Sequence, residues 1–573
     1  MLGLHPLDII VLCGYFIAIT IIGIWTKKLI QSSDDYFMGN RRFGKFLMIM
    51  QGFGVGTHTD QPVTVSGASY SLGLAGIWYQ WIYMFINPFF WIIAPIYRRL
   101  RYVTMADFFE ERYGKSLAIL FTIMGMLYFT MDIGLMLKGT GVTIEGLTAG
   151  AISETVVIFA ATIMFVIYGL AGGLIAAAVT DAIQGVLIMI LSFMLIPFAL
   201  AEAGGMGAIQ AGLPERMFNL VATEEVTLFF ITMVVINALV GIVVQPHHMA
   251  IGGAGKSEIA CRTGWTYGNI MKRIATAGWA FIGVFAAFLY PGIADRELAF
   301  GMLAGDLLPI GLVGLMIAAL IAAVMSTCDA FMVHGAALFT RNIYKPYINK
   351  DASKEKQLKV GRYASVFIVI GGVFFGFVFP SVVQGLIEVW KVTAYLGVAF
   401  WFGVIWKKAN RYGAWTSAIT MATLSIFTGN ILGWELPAQI ALYIPSGIIV
   451  MIVVSYLTKP EPEEKLRQFY TLLETPVGEE QRLKDAGVEI KMEGVSERRK
   501  RRPVKTKATS KIEEAISTDE EVDDGLILVD LLSIYKKFSW KKYKVDIIGF
   551  LVTAGVILSL ILAMKILAGV GTA

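Results

Sequence analysis

Apolar runs of roughly 20 residues recur along this chain from one end to the other, the length an α-helix needs to cross about 30 Å of hydrocarbon. A membrane β-barrel would show alternating polarity instead. Of 573 residues 56% are hydrophobic and 16% charged, so most of the chain belongs in lipid. The runs predict fourteen spans, near 7–26, 46–75, 77–97, 117–147, 154–171, 174–200, 226–250, 274–292, 307–339, 363–380, 385–406, 412–432, 438–457 and 546–569. The first lacks a basic leader and a small-residue cleavage site, and reads as a permanent span, not a removable signal. The fold class is therefore an all-α polytopic membrane protein.

Charge orients it. With the N-terminus outside, alternate connections at 27–45, 98–116, 253–273, 341–362 and 407–411 hold 24 Lys and Arg, against Arg216 and Arg296 alone in the others. That is the positive-inside pattern of a multi-pass protein of the cell membrane, both termini outside. The formal charge of +5 then reflects topology and gives no sign of a nucleic-acid partner. The hydrophilic stretch 458–545 falls inside. It runs from a basic block at Arg498 to Arg502 into an acidic block at Glu520 to Asp524, and reads as a flexible charged insertion. A regulatory site or attachment to anionic headgroups are the other readings.

Several spans carry residues a lipid-facing helix avoids. Gly52, Gly54, Gly56, Thr57, His58, Thr59, Asp60, Gln61 and Pro62 crowd the second span and should unwind it. Irregular backbone at membrane depth persists only around a cavity, so this break points to a binding site; a kink packed against neighbours is the bland alternative. Asp132, Lys138, Glu145, Asp181, Asp329, Glu388 and Lys391 lie in or beside spans and need partners, Glu388 and Lys391 being placed to pair with each other. The histidines His58, His247, His248 and His334 lack metal-site spacing, and Cys13, Cys261 and Cys328 form no disulfide framework. No nucleophile elbow, phosphate loop or kinase set occurs, so an enzyme and an ATP-driven pump both go unsupported.

Four stretches resemble the sodium:solute symporter family. From Tyr168 the chain reads Y-G-L-A-G-G-L-I-A-A-A-V-T-D-A-I-Q, similar to the family's small residue, Gly-Gly-Leu and Thr-Asp-x-x-Gln pattern, with Gly169 departing from it. S-G-A-S-Y-S-L-G-L from Ser66, M-A-D-F-F-E-E-R-Y-G from Met105, and A-A-V-M-S-T-C-D from Ala322 with L-F-T-R-N-I-Y-K-P after it also match. The resemblance covers 1–457 and the last span, 546–573, but not 458–545. It implies a LeuT-like core of two inverted five-helix repeats, about 46–200 and 226–406, working by alternating access with Na⁺ as coupling ion. It also implies a sodium site from carbonyls at Gly54, Thr57 and Ala323 with the hydroxyls of Ser326 and Thr327. Unwound carbonyls and hydroxyls are the oxygens a hard cation prefers, and Ala323, Ser326 and Thr327 share one helical face. A second ion site would use Asp181, but the family's two further serines are replaced by Asp329 and Ala330.

For the solute, a small organic molecule, the likeness offers Gln61, Gln80, Gln245 and Lys391, with Asp60 beside the break. Gln245-Pro246-His247 resembles the proline and monocarboxylate members, although the arginine expected after it is missing. A lysine at the pocket favours a carboxylate or an amino acid. A sugar or polyol symporter and a non-transporting solute sensor are the alternatives, with a monomer as the simplest unit.

Overall fold

The computed structural model describes residues 4–27, 41, 43–488 and 525–569, with side chains throughout except at 20, 22–27, 167–182, 536 and 537. Among them the chain is helical. The main helices are α1 Pro6–Lys27, α2 Lys45–Gly54, α3 Asp60–Leu72, α4 Asn87–Leu100, α5 Met105–Arg112, α6 Lys115–Leu147, α7 Glu154–Ala203, α8 Leu228–Ile242, α9 His248–Gly253 and α10 Glu258–Leu289. They continue with α11 Ala299–Leu307, α12 Leu312–Phe339, α13 Lys354–Val378, α14 Val382–Ile405, α15 Arg411–Ile426, α16 Leu436–Leu457, α17 Glu463–Glu474, α18 Glu480–Asp485 and α19 Trp540–Gly569. Among the described residues eight helices have the length and apolarity to cross a membrane unaided, while α2/α3 and α8/α9 are each interrupted. Phe367, Ile370 and Phe374 on α13 and Leu551, Leu558 and Leu562 on α19 stand exposed, a surface only lipid would cover.

Two groups of helices pack around the breaks. In one, α10 lies against α2, α3 and α4; in the other, α12 lies against α6, α7 and α13, while α14 packs on α8 and α6. Glycine sets the closest approach in the first group: a Cβ on Gly52 would stand 2.8 Å from the carbonyl oxygen of Gly264, and one on Gly268 2.8 Å from that of Ile49. The backbones of α2 and α10 thus touch, as small residues allow in membrane packing. The starts of α8, α10 and α14 are capped by Thr227, Ser257 and Ser381, whose hydroxyls accept from Phe230, Ala260 and Gln384.

Three expectations need correction. The fifth and sixth spans, divided at Gly172-Gly173 in the sequence, form one 50-residue helix, α7. At about 1.5 Å per residue it is roughly 75 Å long and contains no break. Secondly, α10 starts at Glu258, not near 274, so Arg262, Lys272 and Arg273 leave the count of connection charges and enter a helix; Lys272 and Arg273 lie deepest in it. They sit fourteen and fifteen residues into it, roughly 21 Å from its start.

Thirdly, the charged stretch is a packed strap over 458–488. Phe469, Tyr470, Leu472 and Leu473 on one face of α17 are buried. The Tyr470 hydroxyl donates to the Gly403 carbonyl at 2.8 Å, and Arg99 and Arg101 at the end of α4 donate to the carbonyls of Leu473 (3.2 Å) and Pro476 (3.0 Å). Arg99 also grips Glu258 through two contacts of 2.9 Å. The blocks at 498–502 and 520–524 lie outside the described residues.

At the strap's start Arg411 clasps Glu461 at 2.9 and 2.6 Å. Burial pushes the Glu461 carboxyl up, but the Arg411 side-chain and backbone donors outweigh it and hold it below the usual carboxylate range. A depressed pKa gives stability that is present above the unfolded value, about 4.3, and lost as pH falls through the folded one. Glu461→Gln should therefore loosen the strap by about 1–2 kcal/mol, reading as about five- to thirtyfold faster tryptic cleavage at Lys465 and Arg467 at neutral pH. An unchanged cleavage rate would remove the anchor role.

Candidate ion and solute site

Between Gly54 and Asp60 the chain leaves helical geometry, and the freed carbonyls are taken up by side chains. Thr57 Oγ1 donates to the Phe53 carbonyl at 2.6 Å and Gln61 Nε2 to the Gly56 carbonyl at 3.1 Å. His58 Nε2 lies 3.0 Å from the Val55 carbonyl; a carbonyl only accepts, so that nitrogen carries the hydrogen. Thr327 Oγ1 on α12 donates to the same carbonyl at 3.4 Å. One contact thus joins α12 to the break. Gly54, Thr57, Ala323, Ser326 and Thr327 are all buried around it, and their carbonyls and hydroxyls are the neutral oxygens a sodium ion takes in a dry site.

A cavity of about 80 Å³ opens beside the break. At about 10–15 Å³ per water it holds several waters or a small solute. Asp60, Gln61, Gln80 and Gln245 line it. Asp60 is 1% exposed and neither carboxylate oxygen accepts a hydrogen bond from a described residue, although His58 Nδ1 stands 3.5 Å away. The amide oxygens of Gln61 and Gln80 are likewise buried without a donor. Orphaned polar atoms of this kind cost about 1–3 kcal/mol each, which solute or water in the cavity would relieve.

Lys391 is not part of this lining. Its ammonium pairs with Glu388 one turn back on α14, at 2.7 Å, so the pairing seen in the sequence prevails over the pocket role. Two cations of α10, Lys272 and Arg273, line the cavity; Lys272 is buried, its Nζ 4.0 Å from where a Cβ on Gly56 would sit. Asp132 of α6, also buried, adds a second carboxylate. Neighbouring Arg273 donates to the Gln80 carbonyl, takes the Trp81 indole N–H on its own carbonyl at 3.0 Å, and lies 5.5 Å from the Tyr83 ring, fixing the turn that carries Gln80. Neither Lys272 nor Arg273 was a site candidate in the sequence. The available signal was Ser257-Glu258, a helix start, followed by no proline before 291.

A second break separates α8 from α9 at 243–247, facing the first. Gln245 and His247 project from it into the cavity, and the His247 ring stacks on Phe331 of α12 with centroids 4.9 Å apart. Of the suggested second ion site, Asp329 is buried on α12, while the Asp181 side chain lies outside the described residues.

Residues 36–420 match the family model described as the sodium:solute symporter family. The chain belongs to that family. It is a multi-pass membrane transporter and not an enzyme, and its coupling ion is sodium.

Among curated relatives, this symporter is 25% identical over 474 residues to the sodium/glucose cotransporter of Vibrio parahaemolyticus, covering 74% of this chain and 85% of that one. It is 25% identical over 500 residues to the osmoregulated proline transporter OpuE of Bacillus subtilis (strain 168), covering 81% and 97%. The sodium/pantothenate symporter of Haemophilus influenzae is 25% identical over 405 residues, 67% of this chain and 82% of that protein. Among solved structures, a Na⁺-coupled sialic acid symporter in a substrate-bound outward-open state superposes with a TM-score of 0.70 at 19% identity, over 80% of this chain and 99% of that one. The fold is LeuT-like.

Proposed function

We propose that this symporter imports a small carboxylate or amino acid with sodium, by alternating access around the cavity between the two broken helices, with its N-terminus outside and the strap on the cytoplasmic face. One observation carries the solute class: Lys272, Asp60 and Asp132 are buried in a single cavity of about 80 Å³. Separated charges of both signs in a water-poor space recognise a solute that carries charge, whereas a neutral polyol leaves them unmatched. A carboxylate meets Lys272, and an ammonium group, where the solute has one, meets Asp60. The relatives named for proline and pantothenate carry carboxylate solutes, which agrees; the one named for glucose supports the alternative.

Proteoliposome uptake under an inward sodium gradient separates these. L-proline or pantothenate should accumulate and glucose should not, and Lys272→Met should cut carboxylate uptake by about a hundredfold, as expected for a buried charge-assisted contact of roughly 2–3 kcal/mol. Sodium-driven glucose uptake that survives Lys272→Met would replace this solute class with the sugar reading.

A further inference from the structure

We propose that His58 is the positioning residue through which the ion site and the solute cavity sense each other, an inference that rests on Ser326 and Thr327 binding the sodium. The ring sits inside the break with its two nitrogens on different neighbours. Nε2 holds the Val55 carbonyl at 3.0 Å, the same oxygen that Thr327 Oγ1 contacts at 3.4 Å. Nδ1 faces Asp60 Oδ1 at 3.5 Å, and Asp60 is the cavity carboxylate left without hydrogen-bond donors. The ring edge also meets Phe331, one turn beyond Thr327 on α12, with centroids 6.0 Å apart and planes at 82°. A rigid aromatic side chain thus spans from a hydroxyl of the ion site, through one carbonyl, to the charged wall of the solute cavity.

The coupling follows from this geometry. When sodium draws the Thr327 hydroxyl to itself, the Val55 carbonyl loses one of its two side-chain donors and His58 becomes its sole one. The ring then holds that carbonyl more closely, and Nδ1 moves relative to Asp60. Conversely, a solute cation that occupies Asp60 releases Nδ1 and lets the ring follow Val55. Each ligand thereby changes the arrangement the other meets, and such coupling is reciprocal. Gln61 works in parallel, since its amide is tied to the Gly56 carbonyl while its oxygen faces the cavity. Its hydrogen bond runs to Gly56 and not to α12, so it lacks the link through Val55 to Thr327 that His58 has.

The test uses the purified full chain with Cys13→Ser and a reporter, Val389→Cys, on the α14 wall of the cavity, and sodium alone as the ligand. Two quantities are read: ²²Na⁺ binding at equilibrium, and the modification rate of the reporter by a small methanethiosulfonate with and without sodium. With His58 present, sodium should change the modification rate by about fivefold or more. In His58→Phe, which keeps the ring against Phe331 but removes both nitrogens, that change should fall below about twofold while half-saturating ²²Na⁺ moves less than about threefold. His58→Gln, which retains a donor for Val55, should recover part of the sodium response; it also serves as the informative variant should His58→Phe fail to fold. A sodium response in the phenylalanine variant equal to that of the parent, or none in the parent, overturns the coupling role. If instead Ser326→Ala with Thr327→Val leaves ²²Na⁺ binding intact, the ion site itself is misassigned, a distinct failure.

Discussion

The paired change Ser326→Ala and Thr327→Val should raise half-saturating sodium at least about tenfold while the protein remains folded. A dehydrated Na⁺ needs about five or six oxygens, and this pair removes two of those offered by Gly54, Thr57, Ala323, Ser326 and Thr327. Water replaces them poorly, because both positions are almost fully enclosed at 2% and 0% exposure. Side-chain volume is roughly conserved, so packing should lose only about 1–2 kcal/mol. Thr327 also donates to the Val55 carbonyl, but His58 continues to hold that oxygen, so the break keeps one of its two supports. Linkage adds a second expectation: solute affinity at fixed sodium falls, and raising sodium restores part of it. The measurements are sodium-dependent uptake in proteoliposomes and ²²Na⁺ binding to the purified variant. A well-folded double variant with the parent's half-saturating sodium would move the ion away from α12.

How much of this was legible in the sequence depended on how local the signal was. The first break was readable because three glycines, a proline and five polar side chains fall within eleven residues, and each weakens the helix by its own chemistry. Gln61, Gln80 and Gln245 were placed through likeness to the family, and they line the cavity. Lys272 and Arg273 were missed for a physical reason. A hydropathy reading ends a span where charge begins, so two cations deep inside a continuous helix read as part of the connection 253–273. Their enclosure depends on α2, α3 and α4 packing around α10, which is a long-range fact.

The strap was missed in a similar way. Average polarity over 458–545 is high, and it concealed the short apolar pattern of Phe469, Tyr470, Leu472 and Leu473 that buries one face of α17. The Gly172-Gly173 pair produced the opposite error. Glycine lowers helix propensity by about 1 kcal/mol but does not forbid a helix, and α7 runs through both residues.

Removing Arg262 alone should destabilise the fold by about 3–5 kcal/mol, whereas removing it together with its partner should cost little. Arg262 and Asp546 are 1% and 0% exposed and meet at 2.5 Å, joining α10 to the start of α19. Both are supported further: the guanidinium donates to the Trp91 carbonyl at 2.7 Å, and Asp546 accepts the Ile527 N–H at 2.8 Å. Trp91 in turn donates to the Val545 carbonyl at 2.8 Å, so the pair sits at the centre of the seam that attaches α19 to α4 and α10. In Arg262→Leu the carboxylate keeps a single N–H in an enclosed, water-poor site, and the penalty is that of an uncompensated charge. In Arg262→Leu with Asp546→Leu neither charge remains, and two aliphatic side chains fill the seam. Thermal unfolding of the purified chain, read by tryptophan fluorescence, should show a large drop for either single change and a double variant within about 1 kcal/mol of the parent. Additive losses would show that the two groups act independently and that α19 is held by its apolar contacts. If the double variant recovers stability and also transports, the ion pair anchors the last helix without taking part in transport.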